Sequence, residues 1–185
     1  MSTEEDSTGK RRWKAPVDSR PQPGGRTMAK KEKVRKKTLG KSSREWVDRQ
    51  LHDPYVIRAR EAGYRARAAY KLLEIDEKFK ILKRGSRIID LGCAPGGWLQ
   101  VAFEKGAARI AGVDLLPVEP VGEAVIFMGD IAEPGMTDKL IRALGEKPSL
   151  VLSDMAANTS GHKQTDHIRT VGLAELGAQF AIENL

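Results

Sequence analysis

Four aspartates are placed where they could share one site. Asp90 lies in "SRIIDLGC", Asp114 in "AGVDLL", Asp130 in "FMGDI" and Asp154 in "VLSDMAANTSG". Each follows an apolar run of the kind that forms a buried strand. A single aspartate in that position is commonly a turn or helix-cap residue. Four in register would converge on one crevice outside the C-terminal ends of a parallel sheet, where ligands of such sheets bind. Asp114 follows Asp90 by 24 residues. A carboxylate at that place can accept hydrogen bonds from ribose hydroxyls, which selects a nucleoside-type ligand.

The residues after Asp90 sharpen the choice. "DLGCAPGGW" joins an apolar run to "WLQVAFEKG", a helix pattern. Gly92, Ala94, Gly96 and Gly97 keep side chains away from the junction, so backbone N–H groups and a helix N-terminus can approach a ligand closely. The pattern is G-C-A-P-G and not G-x-G-x-x-G; Pro95 stiffens it, and no third glycine serves a pyrophosphate. Four acidic strand ends suit a cationic ligand better than a diphosphate. The expected cofactor is therefore S-adenosylmethionine, which carries a ribose, an adenine, an amino acid portion and a sulfonium charge.

The elements that must position these residues alternate. Strands are predicted at 87–91, 109–114, 124–128 and 149–153, and helices at 97–105, 136–144 and 166–184. Such alternation argues for an α/β fold: a Rossmann-like parallel sheet with helices on both faces. One connection, "LLPVEPVGE" (115–123), holds two prolines and has little room for a helix. Upstream, "SSREWVDRQLHDPYVIRARE" reads as two short helical pieces broken before Pro54, and "YRARAAYKLLEIDEKF" as an amphipathic helix. Residues 1–41 are expected to be a basic, disordered extension, and 42–185 the folded domain.

The 185 residues carry 32 Lys/Arg and 25 Asp/Glu, unevenly spread: residues 1–80 are net +10 and residues 81–185 net −3. A basic front on a near-neutral body points to a polyanion, most simply nucleic acid. Arg58, Arg60, Arg65, Arg67 and the extension are the expected phosphate contacts. Cys93 is the single cysteine, which excludes an internal disulfide framework and a four-cysteine zinc site. His162 and His167 lie five apart, but no third metal ligand is evident. No segment has membrane-spanning length and the N-terminus lacks a signal-peptide core, so a cytoplasmic protein without membrane partners is expected.

"DLGCAPGGWLQVA", "GVDLLPVEP", "FMGDI" and "LSDMAANTSGHKQTDHIRT" together resemble the FtsJ/RrmJ family of RNA ribose 2′-O-methyltransferases. "APGGW" and "SDMAxNxSG", in this order and spacing, are the specific part. "DPYVIRAREAGYRARAAYKLLEID" is similar to the N-terminal segment of the bacterial branch that modifies large-subunit ribosomal RNA at a uridine. The resemblance implies a monomer that binds S-adenosylmethionine through Gly96, Trp98, Asp114 at the ribose, Asp130 at the adenine and Asp154 near the methyl group. It implies ribosomal RNA of the large subunit as partner. The family's catalytic set is Lys, Asp, Lys, Glu; Lys71 in "RAAYKLLEI" matches the first and Asp154 the second. The second Lys, the family's candidate base, and the Glu belong to later strands. The expectation is thus a fragment lacking C-terminal strands and inactive by itself. Other readings are a non-catalytic RNA-binding or ribosome-assembly protein, a methyltransferase of transfer RNA or mRNA caps, and a small-molecule methyltransferase, which the basic residues oppose.

Overall fold

The alternation in "RIIDL" builds the sheet. In a computed structural model, which describes residues 52–157 and 160–185, these residues form β1 (Arg87–Leu91) at the centre. Successive side chains of a strand point to opposite faces. Ile88 therefore packs into one apolar cluster, while Ile89 and Leu91 pack into another. The chain then runs α3 (Gly97–Glu104), β2 (Arg109–Asp114), β3 (Val125–Met128), α4 (Met136–Leu144), β4 (Leu150–Ser153) and α5 (Lys163–Asn184), after α1 (Pro54–Glu61) and α2 (Ala68–Phe79). All strand pairs are parallel, and their order is β3-β2-β1-β4.

Helices cover both faces, as the alternation predicts. On one face Ile88, Ile110 and Leu152 meet Ala69 and Leu72 of α2 and Leu99 and Val101 of α3. On the other, Ile89, Leu91, Ala111 and Val113 meet Met136, Leu140 and Leu144 of α4 and Phe180 of α5. Each such aliphatic side chain taken fully out of water contributes roughly 1.5–3 kcal/mol. Three of the seven strands and helices predicted from 87 onward have the expected bounds, three differ by one residue at one end, and α5 starts at Lys163, three residues earlier than expected. The 115–123 segment holds no helix, so β2 and β3 run parallel without a helical crossover. The first helical piece expected before Pro54 and the extension 1–41 lie outside the described residues.

α1 and α2 stand upstream of the sheet but belong to its core. Asp53 caps α1, its Oδ1 accepting from the Tyr55 N–H at 2.8 Å, with Pro54 in the first turn. Between the helices, the Arg65 N–H donates to Gln100 Oε1 at 2.9 Å and Gln100 Nε2 donates to the Gly63 carbonyl at 3.0 Å. Gln100 is buried on α3. This amide thus docks the 62–67 linker on α3 and fixes where α2 begins.

Candidate active site

The C-terminal ends of β1, β2 and β4 open into a cleft of about 290 Å³. Gly92 and Ala94 of the β1–α3 turn line it, with Asp114, Leu115 and Leu116 after β2, Asp130 and Ile131 after β3, and Asp154 and Met155 after β4. Three of the four expected carboxylates therefore meet there. The walls between them are apolar. This combination of acid groups and apolar surface fits an amphipathic cationic nucleoside. Its acidic character disfavours an anionic diphosphate.

The turn owes its shape to glycine and to Asp114. Gly92 has φ +79°, and a Cβ there would stand 2.7 Å from Met155 Cγ. No other residue lets the turn pass so close to the chain beyond β4. Asp114 Oδ2 accepts from the Ala94 N–H and Oδ1 from the Leu116 N–H, both at 2.8 Å. One carboxylate so ties the β1–α3 turn to the β2–β3 connection. A carboxylate has about four lone-pair sites, so each oxygen retains acceptor capacity for a ligand hydroxyl. Asp130 is exposed; its Oδ1 accepts from the Ala132 N–H at 2.9 Å, and its own N–H donates to Glu133 Oε1 at 3.3 Å.

Asp90 departs from the expectation. It does not line the cleft; it is fully buried on the α2–α3 side of the sheet, opposite Gly112 of β2 and Leu152 of β4. Neither carboxyl oxygen has a hydrogen-bond partner among the described residues. Burial first, then the Asp154 and Asp114 charges, push its pKa up to about 8. It is therefore a neutral carboxylic acid at pH 7. Burial, followed by Asp90 and Asp114, likewise pushes the Cys93 thiol up to about 12, which makes it an inert core residue.

Lys71 of α2 does not line the cleft itself but pairs with Asp154, which does. Its ammonium donates to Asp154 Oδ1 at 2.5 Å and lies 5.7 Å from the centroid of the Trp98 ring. Trp98 is buried, and its Nε1–H donates to the Ala68 carbonyl at 2.7 Å. Gly96 and Trp98 are not among the cleft-lining residues. Gly96 (φ +104°) is the N-cap of α3, and Trp98 packs against Lys71, the partner of Asp154. The chain beyond Asp154 is held by Asp166 of α5, which accepts from Ser160 N–H and Oγ–H at 2.7 Å and from Gly161 N–H at 3.2 Å.

The four arginines expected on phosphate divide. Arg67 is paired with Asp53. Arg65 donates from Nη1 to the Pro95 and Glu119 carbonyls at 3.3 and 2.5 Å, and from Nη2 to the Pro120 carbonyl at 2.7 Å. Its guanidinium is turned onto backbone. In sequence all four look alike, as cations on an amphipathic stretch. All four are exposed, and Arg58 and Arg60 stand on α1.

Comparison with known proteins places this geometry. The profile of the FtsJ-like methyltransferases matches residues 64–185. The chain belongs to that family. It is 52% identical over 176 residues to the ribosomal RNA large subunit methyltransferase E of Hyphomonas neptunium, covering 95% of this chain and 75% of the relative. The enzyme of the same name from Caulobacter sp. is 51% identical over 169 residues, 90% of this chain and 75% of the relative. Among solved structures, a putative ribosomal RNA methyltransferase from Plasmodium falciparum superposes with a TM-score of 0.58 at 35% identity, covering 65% of this chain and 71% of that one. The match spans β1 to α5, the part that builds the cleft, and includes the α2 lysine.

Proposed function

We propose that this protein methylates a ribose 2′-hydroxyl of large-subunit ribosomal RNA, a uridine by the resemblance of its N-terminal segment, with S-adenosylmethionine as donor. The observation that carries the reading is the single cleft in which Asp114, Asp130 and Asp154 meet, with Lys71 paired to Asp154 at its edge. The relatives named for methylation of large-subunit ribosomal RNA support the substrate class.

The residues fit the cofactor. Asp114 would hold the ribose hydroxyls and Asp130 the adenine end, between Leu115, Leu116 and Ile131. Gly96 and Trp98 would contribute behind the turn, by shape and by packing. When bound, the cofactor supplies an electrophilic methyl group on a sulfonium. The chain must then present a hydroxyl in line with it, and such alignment can supply roughly 7–11 kcal/mol of a barrier. Lys71 and Asp154 serve that end. One ammonium hydrogen is given to Asp154, which leaves others to donate to a hydroxyl oxygen and orient its lone pair. Asp154 keeps the ammonium aimed. Because the 2′-hydroxyl exists in RNA and not in DNA, the reaction itself selects RNA. Arg58, Arg60 and the basic residues 1–41 would add phosphate affinity without sequence choice. Among the described residues no helix is long and apolar enough to cross a membrane.

The test is to treat unmodified large-subunit particles and free ribosomal RNA with the protein and labelled cofactor, and to map the label. A 2′-O-methyl group at one nucleotide of the large-subunit RNA is expected when the family's second Lys and Glu are supplied with the chain, and none from residues 1–185 alone. Label on a base, or on transfer RNA alone, would overturn the substrate assignment.

A further inference from the structure

Arg65 holds three backbone carbonyls from two different segments of the cofactor cleft. Pro95 belongs to the β1–α3 turn, while Glu119 and Pro120 belong to the 115–123 connection that follows Asp114. The two segments are pressed together beneath it. A Cβ on Gly96 would come within 2.9 Å of Arg65 Nη1, 3.1 Å of Val121 Cγ2 and 3.4 Å of Val118 Cγ1. Val121 is itself buried. The connection has no helix or strand of its own between Asp114 and Val125, and two of its residues are prolines that donate no hydrogen bond. Its described side-chain anchors are Asp114 at the start and Arg65 near the end. Leu115 and Leu116, which line the cleft, lie between those anchors.

The backbone of Arg65 is tied down as well. Its N–H is held by buried Gln100 of α3, three residues before α2 begins and six before Lys71. Partial loss of water around the guanidinium lowers its pKa from the ordinary arginine value but leaves it a cation.

We infer that Arg65 is a positioning residue: it straps the 115–123 connection to the β1–α3 turn and so sets the wall of the cofactor cleft. It thereby joins the segment that carries Lys71 to the segment that holds the cofactor. The inference rests on the proposed function for the identity of the cofactor, but not for the strap itself. Two nitrogens of a planar fork span the three carbonyls, and a single ammonium cannot. Lysine at this position keeps the charge and loses the strap.

Hydrogen exchange on the whole chain without cofactor tests the strap directly. In Arg65→Met and Arg65→Lys the amides of Leu116 and Ala124, held by Asp114 Oδ1 and the Val121 carbonyl, should exchange at least about tenfold faster, while those of β1 and α4 stay as they are. Calorimetry with S-adenosylmethionine should show affinity lower by on the order of tenfold in both variants. If the exchange quickens and no variant or wild-type protein binds this cofactor, the strap stands and the cofactor assignment fails. If exchange in the connection is unchanged and the variants lose RNA affinity instead, Arg65 is a phosphate contact and the inference is wrong. Arg65→Lys retains the charge and the aliphatic stem, so it remains informative if Arg65→Met does not fold.

Discussion

Lys71 Nζ lies 2.5 Å from Asp154 Oδ1 although 83 positions separate the two residues in sequence. The pair joins α2 to the end of β4 at the edge of the cleft. Both partners are partly open to water, with side-chain exposures of 59% and 32%. A pair so exposed contributes only about 0–1 kcal/mol to stability. Its value therefore lies in chemistry. In a chain that also carries the family's second Lys and Glu, Lys71→Ala and Asp154→Ala should each lower kcat for methyl transfer by about 10²-fold or more. Their melting temperatures should stay near that of the wild type, and the double variant should lose little beyond the worse single one. Independent, multiplying effects in single-turnover assays would separate the two residues into different roles.

Asp114 carries two duties. It accepts from the Ala94 and Leu116 N–H groups, and it would hold ribose hydroxyls with the capacity that remains. Each charge-assisted bond to a ligand is worth roughly 1.5–3 kcal/mol. Asp114→Ala should weaken S-adenosylmethionine by at least about tenfold in calorimetry while far-ultraviolet dichroism stays unchanged. Equal affinity would remove Asp114 from the cofactor site.

Asp90 should make the protein less stable as the solution becomes alkaline. Its carboxyl ionises near 3.9 in an unfolded chain and at about 8 in the fold. Between those values the folded state binds more protons than the unfolded one, so stability falls as pH rises and levels off above the folded pKa. The loss is on the order of a few kcal/mol by pH 9. Asp90→Asn keeps the shape and removes the charge. Thermal unfolding from pH 5 to 9 should show a decline in the wild type that is much reduced in the variant. An identical decline in both would assign the effect to other groups.

Asp76 should act in the opposite sense. Burial pulls its carboxyl up, but the Lys105 ammonium at 2.7 Å and the Leu82 N–H at 2.8 Å bring it below its ordinary value. The stability it contributes is present above the unfolded pKa and is lost as pH falls through the folded one. Asp76→Ala strands the partly exposed Lys105 and frees the chain before Leu82; a cost of about 1–3 kcal/mol is expected. Urea unfolding at pH 7 measures it, and the difference from wild type should shrink near pH 3.

Residues 1–40 should add RNA affinity that is steeply reduced by salt, because each phosphate neutralised releases condensed counterions. Deleting them should flatten the plot of log affinity against log salt and leave cofactor affinity as it was. An unchanged slope would make the segment irrelevant to RNA.

The sequence by itself determined the parallel sheet, the helices of both faces and three of the four cleft carboxylates. Those features are local: period-two apolar runs, glycines where a turn must pass close to a neighbour, and an aspartate at or near the end of each strand. Register and packing decided the rest. Asp90 looks like its three counterparts in sequence, yet the pairing of β1 between β2 and β4 buries it opposite Gly112 and Leu152. Arg65 looks like Arg58 and Arg60, but the docking of the 62–67 linker on Gln100 turns it onto three carbonyls. Trp98 follows the turn glycines, and the packing of α3 against α2 directs its indole to Ala68 and not into the cleft. A residue's type and spacing declare what it can bond; which partner it meets depends on elements that arrive from elsewhere in the chain.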